Sequence, residues 1–245
     1  MPKKRLDILL TERGLARSRN RAQALILAGA VLVDNEKIVK SGALTPEECE
    51  ITIKKKQADY VSRGGIKLAY ALDRFGIDPS EKICADVGSS TGGFTDCLLQ
   101  RGAAKVWALD SGVNQLDYRL RIDNRVIVLE KTNVRKIDPA IITDSLDIIV
   151  ADVSFISLRL VIPPLLGRLS SKTDLALLVK PQFEAGRDKV GKGGIVKDAR
   201  IHQEVIENLK EYFVKEERLA YISVCESPIQ GAKGNREYFL HFKKV

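Results

Sequence analysis

The sequence predicts two domains: a doubly wound, mainly parallel α/β domain over residues 61–245, preceded by a small α+β module over residues 1–60. Two observations predict the larger domain. Short apolar runs alternate with helical patterns, and a glycine-rich loop follows the first of these runs. A third observation predicts the module, since two short helical patterns and two β-type runs precede the alternation. At 245 residues and 44% hydrophobic content, the chain has enough apolar residues for a sizeable core.

The small module begins with two helices. Apolar residues at helical spacing predict helices from Arg5 to Glu12 and from Ser18 to Ala28. A short strand is predicted from Val31 to Val33, followed by a turn at Asp34-Asn35. Glu50 to Ile53 has the composition of a second short strand, so the module is compact.

The basic excess of the chain is concentrated in this module. Residues 1–62 hold twelve Lys and Arg against eight Asp and Glu, which is +4 of the whole chain's +8. This balance favours a polyanionic partner, because Lys and Arg gain affinity by neutralising phosphates. The alternatives are a solubilising basic surface and, at Ser18, an ordinary helix N-cap.

The segments RLDILL, RSRNRAQALILAG and AVLVD resemble the RNA-binding module named after ribosomal protein four of the small subunit. That family grips structured RNA with the basic surface of its two helices. The resemblance implies that the following residues contact RNA: Arg5, Arg17, Ser18, Arg19 and Arg21.

The α/β domain follows a predicted linker, Lys54-Lys55-Lys56 to Asp59-Tyr60, and opens at Ser62. Five strands are predicted in the alternating region: Lys82 to Val87, Val106 to Leu109, Val126 to Leu129, Asp147 to Ala151 and Leu175 to Val179. Two later strands, Ala220 to Cys225 and Tyr238 to Phe242, have no helix between them. They are therefore expected to pair as an antiparallel edge.

The glycine-rich loop is the first candidate binding element. It follows the strand that ends at Val87 and precedes a helical pattern, and ligands of open α/β sheets bind outside the carboxyl ends of the strands. The loop residues proposed to bind a cofactor are Gly88, Ser89, Ser90, Thr91, Gly92, Gly93 and Phe94. A glycine loop alone fits nicotinamide, flavin or methionine-derived cofactors about equally.

Polar residues at neighbouring strand ends narrow the choice of cofactor. Asp86 suits the amino acid part of a zwitterionic ligand and would repel a pyrophosphate. Asp110 ends the next strand, at the position from which an acid bonds both ribose hydroxyls. Asn133, in Thr132-Asn133-Val134, is a candidate adenine contact. Either aspartate alone could be a cap or turn residue, but their occurrence at successive strand ends favours S-adenosylmethionine.

Four charged residues at the edges of apolar segments are candidate catalytic residues: Lys67, Asp152, Lys180 and Glu237. The last three are expected at the same rim of the sheet as the glycine loop. The alternative is a set of structural ion pairs.

The motifs SRGGIKL, DVGSSTGGFTD, DVSFISL, VKPQFE and NREYF resemble the FtsJ-like ribose methyltransferases, and more closely the TlyA family, whose members are often labelled hemolysins. The resemblance covers essentially the whole chain. It implies a Rossmann-like methyltransferase domain that transfers a methyl group from S-adenosylmethionine to the 2′-hydroxyl of cytidine in 16S ribosomal RNA, 23S ribosomal RNA or both. It also implies that the Lys-Asp-Lys-Glu tetrad of the family falls on the four charged residues above.

The expected roles follow from the chemistry of a weakly nucleophilic ribose hydroxyl. Lys180 is expected to take or share the hydroxyl proton. Asp152 is expected to lie beside the methyl end of the cofactor and to orient Lys180. Lys67 is expected to hold the ribose and Glu237 to fix the lysines by charge-assisted bonds. The division between base and orienting group is a hypothesis.

Residues 184–194 are rich in glycine, basic and without periodicity, which predicts a mobile loop. The loop could fold over a target nucleotide extruded from its helix, or it could have no role. Further RNA contacts are predicted at Arg63, Arg187, Lys189, Lys192 and Arg236.

Composition argues against several other classes. The four cysteines include no Cys-x-x-Cys pair and there are two histidines, so we predict reduced thiols, a cytoplasmic location and no metal site. No apolar segment resembles a secretion signal or a membrane span, which disfavours a membrane-active cytolysin. An RNA-binding protein with an inactive catalytic domain is disfavoured because the glycine loop and tetrad are intact. The expected partner is ribosomal RNA or a ribosomal subunit, with no membrane and no obligate protein partner.

Overall fold

The computed structural model describes residues 2–16, 18–27, 29–53 and 60–244, with Arg187 described by its backbone alone. The chain divides into two compact units, Met1–Asp59 and Tyr60–Val245. The linker predicted at residues 54–60 lies, except for Tyr60, outside the described residues.

The first unit packs two helices on short strands. Its helices are α1 (Leu6–Glu12) and α2 (Arg19–Leu27), and its strands are β1 (Lys3–Arg5), β2 (Val31–Val33), β3 (Glu36–Lys37), β4 (Leu44–Pro46) and β5 (Ile51–Ile53). The strands form a three-stranded antiparallel sheet of order β3-β2-β5 and a separate β1-β4 pair. Leu6, Leu10 and Ile26 are fully buried in the core that joins the helices to β2. Both predicted helices are confirmed to within one residue at each end.

The turn between β2 and β3 is confirmed as well. Asp34 and Asn35 have φ angles of 49° and 67°, the left-handed conformation that a two-residue hairpin turn requires. The β1-β4 pair was not predicted, because three consecutive basic residues show no alternation.

The second unit is built on a seven-stranded sheet of order β11-β12-β10-β9-β6-β7-β8. Its strands are β6 (Ile83–Val87), β7 (Lys105–Leu109), β8 (Val126–Leu129), β9 (Leu146–Ala151), β10 (Leu169–Val179), β11 (Leu219–Glu226) and β12 (Tyr238–Lys244). Strands β6 to β10 run parallel to one another, and β12 is antiparallel to both β10 and β11. The predicted antiparallel pairing of the last two strands is confirmed. Of these two strands only β11 is an edge strand, because β12 also pairs with β10.

Helices cover both faces of this sheet. They are α3 (Gly64–Phe75), α4 (Gly93–Gln100), α5 (Tyr118–Arg121), α6 (Leu158–Val161), α7 (Pro181–Glu184) and α8 (Ala199–Lys215). Leu72 of α3 and Leu98 of α4 belong to the core on one face, while Val161 of α6 and Phe213 of α8 belong to the core on the other. Burial on both faces explains why the strands read as continuous apolar runs. The unit is a Rossmann-like α/β fold.

Candidate active site

The glycine turn lies at the carboxyl end of the parallel strands. Gly88 follows β6 directly with a φ angle of 83°, and its backbone N–H donates to the Leu109 carbonyl at 2.8 Å. A Cβ atom at residue 88 would lie 2.6 Å from the backbone oxygen of Asp152. Glycine is therefore required here by both the backbone conformation and the close approach of the segment after β9.

Asp110 organises this turn. Its Oδ2 accepts the Ser90 N–H at 2.7 Å, and its Oδ1 accepts the Gly112 N–H at 2.7 Å. Each carboxylate oxygen has a further lone pair, so Asp110 retains acceptor capacity for a ligand.

Asp86 lies beneath the turn and has no exposed surface. Its Oδ2 accepts the Thr95 hydroxyl at 2.6 Å, whereas its Oδ1 has no partner among the described residues. Burial, with a smaller contribution from the nearby charge of Asp152, raises the pKa of Asp86 to about 7. Asp86 lines neither of the two cavities at this edge of the sheet.

Two cavities adjoin at this edge of the sheet. The larger, about 530 Å³, is lined by Asp110, Thr132 and Asn133 among others. The smaller, about 320 Å³, is lined by Lys67, Lys180 and residues of the glycine turn. Four residues line both cavities: Gly88, Ser90, Asp152 and Ser154. The two cavities thus meet beside Asp152.

The four predicted catalytic residues form two ion pairs. Lys180 Nζ lies 2.5 Å from Asp152 Oδ1 and donates a hydrogen bond to Ser154 Oγ at 2.9 Å. Within the described part of the chain, Asp152 Oδ1 has this ionic contact with Lys180 Nζ but no hydrogen-bond donor aligned on it. Lys67 Nζ donates to Glu237 Oε2 at 2.6 Å, and both side chains are buried. Each lysine therefore has its own acid, although Glu237 was expected to fix both.

Sheet register brings these residues together. Tyr238, the first residue of β12, pairs with Val179, the last of β10, so Glu237 and Lys180 leave the same edge of the sheet. Glu237 directly precedes β12.

The loop before β12 holds Glu237 under Gly231, where a Cβ atom would lie 1.8 Å from Glu237 Oε1. Asn235, which is 3% exposed, fixes this loop. Its Oδ1 accepts the Val196 N–H at 3.1 Å, and its Nδ2 donates to the Gly194 carbonyl at 2.9 Å. The end of the glycine-rich segment, which was expected to be a mobile loop, is thus bonded to the segment that carries Glu237.

The remaining loop residues have distinct positions. Thr91 and Ser89 line the smaller cavity, and Phe94 lines it while also packing in the core against Phe239. Gly92 lines neither cavity, and a Cβ atom at this position would lie 2.2 Å from Leu120 Cδ1.

The predicted RNA contacts of this unit differ in availability. Arg63 is exposed at the smaller cavity, and Lys192 is exposed in the glycine-rich segment. Lys189 is paired with Glu204, and Arg236 is paired with Glu226. The Arg187 side chain lies outside the described residues.

In the first unit, Arg5 and Arg19 both bond Asp7. Ser18 Oγ accepts the Arg21 N–H at 3.3 Å, which is the N-cap interaction considered above, and the Arg21 side chain is exposed. Arg17 lies outside the described residues.

Two residues of this site were not singled out from sequence. Ser154 bonds Lys180, and Phe155 stands 89% exposed beside the larger cavity with a φ angle of 63°. The Phe155 ring lies 4.8 Å from the Phe183 ring. Both residues lie in Asp152-Val153-Ser154-Phe155, the polar and aromatic segment that follows the predicted strand end at Ala151.

Within the described part of the chain, none of the helices combines the length and apolar character needed to cross a bilayer. No group of three or more His, Cys, Asp or Glu side chains in residues 2–16, 18–27, 29–53 and 60–244 is arranged to hold a metal ion.

Comparison with known proteins identifies both units. The FtsJ-like methyltransferase family model matches residues 60–244, and the S4 domain model matches residues 4–43. The 16S/23S rRNA (cytidine-2′-O)-methyltransferase TlyA of Mycobacterium tuberculosis is 44% identical, over 96% of this chain and 88% of the relative. Hemolysin A of Brachyspira hyodysenteriae is 42% identical, over 97% of this chain and 99% of the relative. In fold alone, the second unit is similar to the N-methyltransferase NodS of Bradyrhizobium japonicum, with a TM-score of 0.52 and 14% identity over 75% of this chain and 97% of that one.

Proposed function

Since the chain belongs to the FtsJ-like methyltransferase family, we propose that it transfers a methyl group from S-adenosylmethionine to a ribose 2′-hydroxyl of ribosomal RNA. The observation that carries this proposal is the meeting of two cavities beside Asp152, one bordered by Asp110 and the other by the lysines. A cofactor and an acceptor bound in the two cavities would react at their junction.

The larger cavity suits the adenosyl part of the cofactor. Asp110 would accept hydrogen bonds from the ribose hydroxyls, and Asn133 would contact the adenine. When bound, S-adenosylmethionine supplies an electrophilic methyl group on a sulfonium. The acids Asp86, Asp110 and Asp152 stand at three adjacent strand ends, and Asp86 Oδ1 has no hydrogen-bond partner among the described residues. This charge distribution fits a ligand that carries an ammonium and a sulfonium.

The smaller cavity suits the ribose that accepts the methyl group. We assign Lys180 to take or share the proton of the 2′-hydroxyl, because Asp152 and Ser154 hold its Nζ at the junction. Lys67, fixed by Glu237, lines the same cavity and would bond the ribose there.

Phe155 and Arg63 would hold the nucleotide. Methylation of a nucleotide inside a helix requires that it be extruded, and an exposed aromatic ring stabilises an unstacked base. Phe155 offers such a ring at the rim of the larger cavity, directly after Ser154, which lines both cavities, and the Phe183 ring lies 4.8 Å from it. Arg63 is placed to neutralise a phosphate of the same strand.

Cytidine in 16S or 23S rRNA is the proposed target. The relative from M. tuberculosis bears that activity in its name, and the match to it covers both units. The amino-terminal S4 domain would supply affinity for structured RNA. We propose cytoplasmic action on ribosomal RNA or on a ribosomal subunit.

The test uses ribosomal subunits from a strain that lacks this protein, incubated with methyl-labelled cofactor and the purified chain. We expect label on one or a few ribose 2′-oxygens of cytidine. Methyl on a base would refute the reaction class. Lys180→Arg serves as the matched variant, because it keeps the positive charge but cannot share the proton in the same way. Full activity of this variant would exclude Lys180 as the proton acceptor.

A further inference from the structure

The first unit contains a buried acid that no step of the proposed reaction uses. Asp7, on α1, has no exposed surface. Its carboxylate accepts two hydrogen bonds of 3.0 Å from Arg5, one from Arg5 Nε to Asp7 Oδ1 and one from Arg5 Nη2 to Asp7 Oδ2. Its Oδ2 also accepts Arg19 Nε at 3.0 Å and Gln23 Nε2 at 2.8 Å. One carboxylate thus gathers side chains from β1 and α2.

This carboxylate is charged whenever the unit is folded near neutral pH. Hydrogen bonds from Arg5, together with those from Gln23 and Arg19, hold the pKa of Asp7 well below its usual range. The two guanidiniums are therefore held by a permanent negative charge.

The two arginines keep donors for a second partner. Arg19 uses only its Nε on Asp7, and both of its terminal amino groups have no partner among the described side chains. The Arg19 side chain is 54% exposed and the Arg5 side chain 42% exposed. A guanidinium has five N–H donors in a rigid fork, so a fixed Nε sets the direction in which the other donors point.

We propose that Asp7 is a positioning residue that presets Arg5 and Arg19, which we call the arginine pair, to grip phosphates of structured RNA. The inference rests on the proposed function, which makes RNA the substrate. A flexible arginine loses side-chain entropy when it binds a phosphate, and a side chain already held by Asp7 has lost it before binding. Asp7 also repels phosphate, but this repulsion is screened by solvent at the exposed ends of the arginine pair.

Replacing Asp7 with asparagine distinguishes positioning of the arginine pair from repulsion of phosphate, because the two effects change RNA affinity in opposite directions. The substitution keeps the size of the side chain but adds one unit of positive charge to the unit. If net charge alone governs binding, Asp7→Asn tightens RNA binding and steepens its salt dependence. If positioning governs binding, the variant binds about tenfold more weakly and its salt dependence becomes shallower, because fewer phosphates are neutralised.

The assay is filter binding of the full-length protein to labelled 16S and 23S rRNA at several salt concentrations. Glu36→Gln is the matched control, since it removes an exposed acid of the same unit that bonds neither arginine. It should bind as wild type or slightly more tightly. Because Asp7 is buried, circular dichroism and thermal unfolding must show that Asp7→Asn is folded.

Arg19→Lys is the second variant and carries no such folding risk, because Arg19 is exposed. It keeps the positive charge, but an ammonium that bonds Asp7 has no second set of planar donors left for a phosphate. We therefore expect severalfold weaker RNA binding. Wild-type affinity in Arg19→Lys, or in a folded Asp7→Asn, overturns the inference. Failure of the wild-type protein itself to bind or methylate either RNA would instead overturn the proposed function.

Discussion

Replacing Glu237 with Gln removes the negative charge that faces Lys67 while preserving the size of the side chain under Gly231. The ion pair spans 2.6 Å, and the two side chains are only 11% and 2% exposed. Removing one partner of a buried pair typically costs about 3–5 kcal/mol, whereas exposed pairs contribute roughly 0–1 kcal/mol. Because Gln can still accept one hydrogen bond from Lys67, we expect a loss of about 3 kcal/mol in the free energy of unfolding.

Urea denaturation followed by tryptophan fluorescence measures this loss. The chain has a single tryptophan, and Trp107 is buried in β7, so the signal reports the second unit. With a slope of about 2 kcal/mol per molar urea, the midpoint should fall by about 1.5 M.

A double-mutant cycle distinguishes the pair from the individual residues. Lys67→Met should also destabilise the unit, and the double variant should lose less than the sum of the two single losses by roughly 1–3 kcal/mol. Single losses below about 1 kcal/mol that add without coupling would refute the assignment of a desolvated ion pair.

Three further outcomes are expected. Asp110→Asn should weaken S-adenosylmethionine binding by roughly 10- to 100-fold in calorimetry, because hydrogen bonds to a charged acceptor are lost; an unchanged Kd would exclude Asp110 as a ligand contact. Phe155→Ala should raise the KM for RNA by roughly 5- to 100-fold because a stacking surface for the unpaired base is lost, and Phe155→Tyr should restore it; equal KM values in all three proteins would exclude stacking. Asp86 has a pKa near 7 in the folded protein against 3.8 in the unfolded chain, so the folded state binds the extra proton. The contribution of Asp86 to stability therefore falls as pH rises from about 4 to 7. Asp86→Asn should stabilise the ligand-free protein at pH 8 but not at pH 4, as measured by the midpoint of urea denaturation. An equal effect of the substitution at both pH values would contradict a raised pKa of Asp86.

Much of the fold could be predicted because the second unit repeats one physical pattern. Strands such as β6 and β9 are buried on both faces, and their apolar runs are unmistakable in the sequence. The limits of β10 were missed, since its first half, Leu169 to Thr173, contains Ser170, Ser171 and Lys172 and does not read as a buried strand.

The site was harder to predict beyond its charged residues. Lys67 and Glu237 are 170 positions apart, and their pairing depends on sheet register and on the loop before β12. Sequence identified both residues, but not which lysine Glu237 would contact. Asn235 was missed because its role consists of bonds to backbone groups about 40 positions away, which leave no local pattern.

The placement of β12 has a consequence for synthesis on the ribosome. β11 is made before β12, yet β12 lies between β11 and the rest of the sheet. A nascent chain that stops before residue 237 can contain the glycine turn, but it lacks the acid that neutralises Lys67, and β11 has no strand to join. The Lys67–Glu237 ion pair and the addition of β11 to the sheet can therefore form only after residues 237–244 have been synthesised.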